Sequence, residues 1–151
     1  MNEAKCDKAS RKHKIITVLG IASLVLLMLV NIAGAAQSSK AWVQEGSILT
    51  NSGKYNEAIA AYDKAIKINP QDADAWNGKG VVLDELGKYD EAIKAYDKAI
   101  EIDPRYFEAW TNKGVDLVNL NKYDEAKSAY DKGIKINPAW EGQRNWSKSI
   151  K

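Results

Sequence analysis

Cysteine and histidine are almost missing from this chain. Cys6 and His13 are each the only residue of their kind among 151, and both sit in the first thirteen positions. A lone cysteine closes no intramolecular disulfide and leaves the redox compartment unread. Cys6 precedes the apolar run instead of following it, so it is not placed like a bacterial lipoprotein cysteine and reads as an ordinary free thiol. Beyond residue 13, Ser–His and Cys–His nucleophile pairs and thiolate–zinc sites are excluded for want of the side chains. A glycine-rich phosphate loop is missing too: Gly78 and Gly80 form Gly-Lys-Gly inside a helical pattern, without the spacing or the preceding strand of a nucleotide motif. Nor is there a large excess of one charge. Twenty-two basic and 20 acidic residues leave a net +2, which argues against a nucleic-acid surface spread over the protein. No catalytic residue, metal or cofactor is expected.

The basic charge is unevenly placed. Lys5, Lys8, Arg11, Lys12 and Lys14 crowd the leader 1–14, so the rest of the chain is slightly acidic. Residues 15–36 (IITVLGIASLVLLMLVNIAGAA) then run without a formal charge. As a helix at about 1.5 Å per residue they would be about 33 Å long, enough to cross a hydrocarbon core of about 30 Å. Basic residues before the run and few just after it place the N-terminus in the cytoplasm and the remainder outside it, as a single-pass cell-membrane protein. A cleaved secretory signal is the competing reading, since Ala33-Gly34-Ala35-Ala36 could satisfy a cleavage site before Gln37. The core from Ile15 to Val30 is longer than the usual signal core of about 7–15 residues, which favours the anchor. No Gly-xxx-Gly pair in the run cues helix dimerisation.

What the remainder has is repetition. GKYNEAIAAYDKAIKINP (53–70) returns as GKYDEAIKAYDKAIEIDP (87–104) and as NKYDEAKSAYDKGIKINP (121–138). Pro70, Pro104 and Pro138 are the only prolines and lie 34 residues apart; Trp42, Trp76 and Trp110 keep the same interval. A fixed period in this range means a repeat architecture.

Each period holds two helical patterns. In the second copy Trp76, Gly80 and Leu83 share one face, and Gly87 stops that helix by accepting the left-handed backbone. Gly53 has the same place in the first copy and Asn121 in the third. The second helix opens on Asp90-Glu91, suited to a helix N-terminus, and continues through Ala92, Tyr96, Ala99 and Ile100. Asp103-Pro104 ends it. Gly46, Gly80 and Gly114 would let the two helices approach, while the tryptophans and Tyr62, Tyr96 and Tyr130 read as core. One pair alone cannot bury these faces, so three must stack. Acidic residues such as Glu57, Glu91 and Glu125 recur with the period and read as a solvated face.

These residues resemble the tetratricopeptide repeat family. Its tryptophan, glycine, alanine–aromatic–alanine series and proline are found as Trp76, Gly80, Ala92, Tyr96, Ala99 and Pro104. Trp42, Gly46, Ala58, Tyr62, Ala65 and Pro70 match them, as do Trp110, Gly114, Ala126, Tyr130 and Pro138. The third copy departs at Gly133, where the others have alanine, and at Lys127, where they have Ile59 and Ile93. The resemblance implies an all-α, right-handed solenoid of three helix-turn-helix repeats (39–72, 73–106 and 107–140), behind the transmembrane helix. Residues 141–151 would supply a partial cap.

The resemblance also implies a peptide groove lined by the first helix of each pair. Carried over position by position, its residues are Lys40, Val43, Ser47 and Thr50; Asp74, Asn77, Val81 and Asp84; and Glu108, Thr111, Val115 and Val118. Asp74, Asp84 and Glu108 outweigh Lys40, so a protein or peptide segment that is neutral to basic is the expected partner. The chaperone-binding members of the family clamp a terminal carboxylate with basic and amide side chains. Val43, Ser47 and Glu108 do not make that clamp. A membrane-anchored adaptor or scaffold is the expected function, with self-assembly through the solenoid ends, or secretion after signal cleavage, as alternatives.

Overall fold

The computed structural model describes residues 39–143. They open in α1, helical over 39–51. Then follow α2 (Tyr55–Ile68), α3 (Ala73–Glu85), α4 (Tyr89–Ile102), α5 (Phe107–Asn119) and α6 (Tyr123–Ile136), and a 3₁₀ segment, Pro138–Gln143. Among the described residues there is no strand, and no helix is long and apolar enough to cross a membrane. The apolar run 15–36 and residues 144–151 of the expected cap lie outside them.

The turns within pairs follow from single residues. Gly87 has φ +71°, so the Lys88 N–H can reach back to the Leu83 carbonyl at 2.9 Å and close the end of α3. Asn121 makes the same turn at φ 59°. Between pairs, Asn69 and Asp103 precede prolines and are extended, which ends α2 and α4. Asp72 then caps α3 by accepting from the Ala75 N–H.

From α2 onward each helix packs on its neighbours in the chain, and the backbone of α3 also comes close to that of α5, whereas the backbones of α2, α4 and α6 stay farther from one another. Helices α3 and α5 thus belong to a tighter inner row. The result is an all-α solenoid of three helix pairs.

The core is made of alanine and tyrosine. Ala58, Ala65, Ala92, Ala99 and Ala126 are fully buried, and the Tyr62, Tyr96 and Tyr130 rings are 0–4% exposed. A Cβ at Gly46, Gly80 or Gly114 would fall 2.8, 2.5 or 2.6 Å from the tyrosine ring of the same pair. The tryptophans correct the sequence reading: Trp42, Trp76 and Trp110 are half-buried and stand at the edge of this core. Their indole N–H groups explain it. Those of Trp76 and Trp110 donate to the exposed carbonyls of Pro70 and Pro104, at 3.0 and 3.1 Å, which holds the rings at the surface. Trp76→Ala is therefore expected to cost about 2 kcal/mol, roughly half the 3–5 kcal/mol for a fully buried aromatic. Urea denaturation of the variant checks this.

The seams between pairs are stitched by a few side chains. Ile59 packs into both the first and second clusters, and Ile93, from the second pair, packs into the third. At the equivalent position Lys127 is exposed, as suits a helix with no fourth pair beside it. Lys79 pairs with Asp63 across one seam and Lys113 with Asp97 across the next, both at 2.6 Å. Because the aspartates are half-exposed, each pair adds only about 0–1 kcal/mol.

The residue just after each pair reaches back to the start of that pair, with different chemistry each time. Asp72 accepts from the Ser39 hydroxyl at 2.9 Å. The Tyr106 hydroxyl donates to Asp74 at 2.7 Å. Trp140 meets Phe107 edge-on and tilts over Tyr130, with centroids 5.6 Å away in both cases. Gly133, buried in α6, admits Thr111 closely: a Cβ there would lie 3.2 Å from the threonine methyl.

Candidate functional site

The inner row carries the twelve side chains singled out by repeat position. The helical period sets them along one face of α1, α3 and α5, where none is fully buried. Lys40, Ser47, Asp74, Glu108 and Val115 are exposed; Val43, Thr50, Asn77, Val81, Asp84, Thr111 and Val118 are half-buried.

These side chains divide by what they touch. Val43, Val81 and Val118 pack against the three apolar clusters, so each shares its surface between core and groove. Val115, 44% exposed, is the apolar residue left open on this face of α5. The hydroxyls of Thr50 and Thr111 donate to carbonyls one turn back in their own helices. That leaves Lys40, Ser47, Asp74 and Glu108 as exposed polar groups, with Asn77 and Asp84 half-buried among them. Asp74 takes the Tyr106 hydroxyl, and this hydrogen bond, after burial, pushes the tyrosine's pKa up. A hollow of about 350 Å³ opens beside it, lined by Lys40, Asp72, Asp74, Asp103 and Tyr106 among others, so acidic groups predominate there.

Three residues of this region escaped the repeat-position argument. Asn112 lies one place beyond Thr111, and its amide donates to the Asn77 side-chain carbonyl at 3.4 Å, joining α5 to α3. Tyr106 belongs to a loop and was invisible to a helix-face count. Asp116 is the third. Glu57, Glu91 and Glu125 are exposed as periodic charges should be, yet Asp116 is wholly buried. A signal was present, since Ile48 and Val82 hold the same place in the other copies.

Among the described residues no three histidine, cysteine or carboxylate side chains gather as a metal site would need.

Comparisons with known proteins agree with the fold. Family models described as tetratricopeptide repeat match residues 43–107 and 107–139. The chain belongs to the tetratricopeptide repeat (TPR) family. TPR domains typically bind peptides and mediate protein–protein interaction as non-catalytic scaffolds. Among solved structures, the second TPR of Spaghetti (RPAP3), bound to the HSP90 peptide SRMEEVD, is 26% identical with a TM-score of 0.65. The match covers 67% of this chain and 94% of that one. MamA is 30% identical at a TM-score of 0.65, over 70% of this chain and 61% of its own. The Arabidopsis OM64 TPR domain, 23% identical with a TM-score of 0.68, shares the fold over 70% of this chain and 87% of that one. No curated protein matches the chain by sequence.

Proposed function

We propose that this protein is a membrane-anchored TPR adaptor that binds a neutral to basic protein segment on the inner face of its helix pairs, without catalysis. Residues 15–36 would be the anchor and the repeats would stand outside the cytoplasm, close to the membrane surface. The observation that carries the ligand class is the pair of exposed acids on that face, Asp74 and Glu108, with Asp84 half-buried between them, opposed by Lys40 alone among the twelve positions. The Spaghetti domain holds a peptide that ends in Glu-Glu-Val-Asp. Such a peptide would be repelled here by Glu108 and Asp74. A segment bearing lysine or arginine would be attracted, chiefly in its rate of encounter and in its specificity.

The test uses the full-length protein in mild detergent as bait for gently solubilised source membranes. An Asn77→Ala/Thr111→Ala variant, expected to melt within a few degrees of wild type, serves as control. A partner recovered by wild type and lost by the variant, through a neutral or basic segment and less well at high salt, is the expected result. Equal recovery by both proteins would exclude the inner face.

A second reading has one observation of its own. Ile48 is 53% exposed, although Val82 and Asp116, its counterparts, are buried by the preceding pair. A second copy stacking on this end would cover it. A concentration-dependent mass of the protein in detergent, abolished by Ile48→Glu, would favour self-assembly.

A further inference from the structure

The seat that Val82 fills in the second pair is filled in the third by a carboxyl group. Val82 is fully buried beneath Tyr62, in an apolar cluster where nothing titrates at ordinary pH. Asp116 is equally buried, beneath Tyr96. Neither of its carboxylate oxygens receives a hydrogen bond, and the Tyr96 hydroxyl, also buried, has no partner either. An aliphatic seat has become a pocket of buried polar atoms without hydrogen-bond partners.

The surroundings make ionisation there unfavourable from every side. Asp84, on α3, is close enough to share a hydrogen bond with Asp116. Asp84 and Glu85, also on α3, oppose ionisation of Tyr96 just as Asp116 does. Tyr130, on α6, feels Asp116 as well and is pushed up to about 12, mainly by burial. These neighbours are acidic or neutral. Two carboxylates side by side with no cation between them are mutually repulsive, whereas one carboxyl and one carboxylate sharing a proton supply the missing donor.

We propose that Asp116 and Asp84 form a one-proton latch across the seam between the second and third pairs, closed while the two carboxyls share a proton and loosened when it leaves. The position fits this role, since α5 is the helix through which the third pair docks on α3 and α4. Burial, then Asp84, raises the Asp116 pKa to about 8. Once α5 lifts away, the group returns to the ordinary carboxylate range near 4. The closed state therefore binds the extra proton. Its advantage is greatest in acid near pH 4, falls as pH rises, and levels off above about 8.

Amide hydrogen exchange on the full-length protein in detergent tests this, with rates corrected for intrinsic exchange. In wild type, the opening equilibrium of α5 and α6 should rise by up to about tenfold per pH unit between about 5 and 8. Helix α2 should change less. Asp116→Val, which installs the residue type found at Val82, should remove the pH dependence and leave the third pair more protected at pH 8. Asp116→Asn keeps the shape without the charge and should flatten the profile too, so the test survives if the valine variant packs badly. Equal pH dependence in wild type and both variants, or none in wild type, would overturn the latch.

Discussion

Tyr96→Ala is expected to be the most damaging single substitution in the helical array, lowering stability by about 3–5 kcal/mol. The ring is fully buried, against Leu83, Ala92, Ala95, Ala99 and Ala109. Most of those neighbours are alanines, which have no side-chain length with which to collapse into the cavity. A stability of about 5–15 kcal/mol is normal for a domain, so the loss would leave much of the population unfolded at 37 °C. Tyr96→Phe should behave differently. It keeps the ring and removes a buried hydroxyl that has no hydrogen-bond partner, so stability should change by less than about 1 kcal/mol, or rise. Equilibrium denaturation followed by circular dichroism distinguishes the two. If alanine and phenylalanine cost the same, the ring is not what holds the second pair together.

Gly80→Val should rank second, at about 3 kcal/mol. Even the first added carbon would sit 2.5 and 2.7 Å from two atoms of the Tyr96 ring, which is itself boxed in and cannot retreat. Valine's two further methyls must then push α3 from α4. Glycine is a poor helix former, by about 1 kcal/mol against alanine, and the chain keeps it here because the helices meet at that point. Gly87→Ala is the informative contrast. Nothing lies within 4 Å of a Cβ at that turn, so only the left-handed backbone at φ +71° resists it, at about 1 kcal/mol. A larger loss at Gly87 than at Gly80 would mean that helix contact is not the reason for Gly80.

Much of the architecture was legible because the chain states it three times. The prolines mark where the second helices end, and Gly53, Gly87 and Asn121 mark the turns, since each effect is local and needs no distant partner. The glycine–tyrosine contacts were legible too, as both members recur in phase. The tryptophans misled for a physical reason. A large aromatic ring argues for burial, but an indole N–H needs an acceptor, and for Trp76 and Trp110 the accessible carbonyls of Pro70 and Pro104 supplied one.

The candidate site was legible as a list of positions and no further. Repeat register places Asp74, Asn77, Asp84 and Glu108 on one face, yet cannot say that Val43, Val81 and Val118 are partly consumed by the core. Nor can it say that Asn112 would find Asn77, or that Tyr106 would leave its loop for Asp74.

The sequence by itself determined that the repeats are helix pairs in a stack, because propensity, capping and the 34-residue period act within a pair and repeat identically. Only the tertiary structure decided what departs from the period. Asp116 reads as one more charge on an acidic helix until α3, α4 and α6 close around it and withdraw the water that would have kept it ionised. Burial is a property of neighbours, and neighbours a full repeat apart are set by packing.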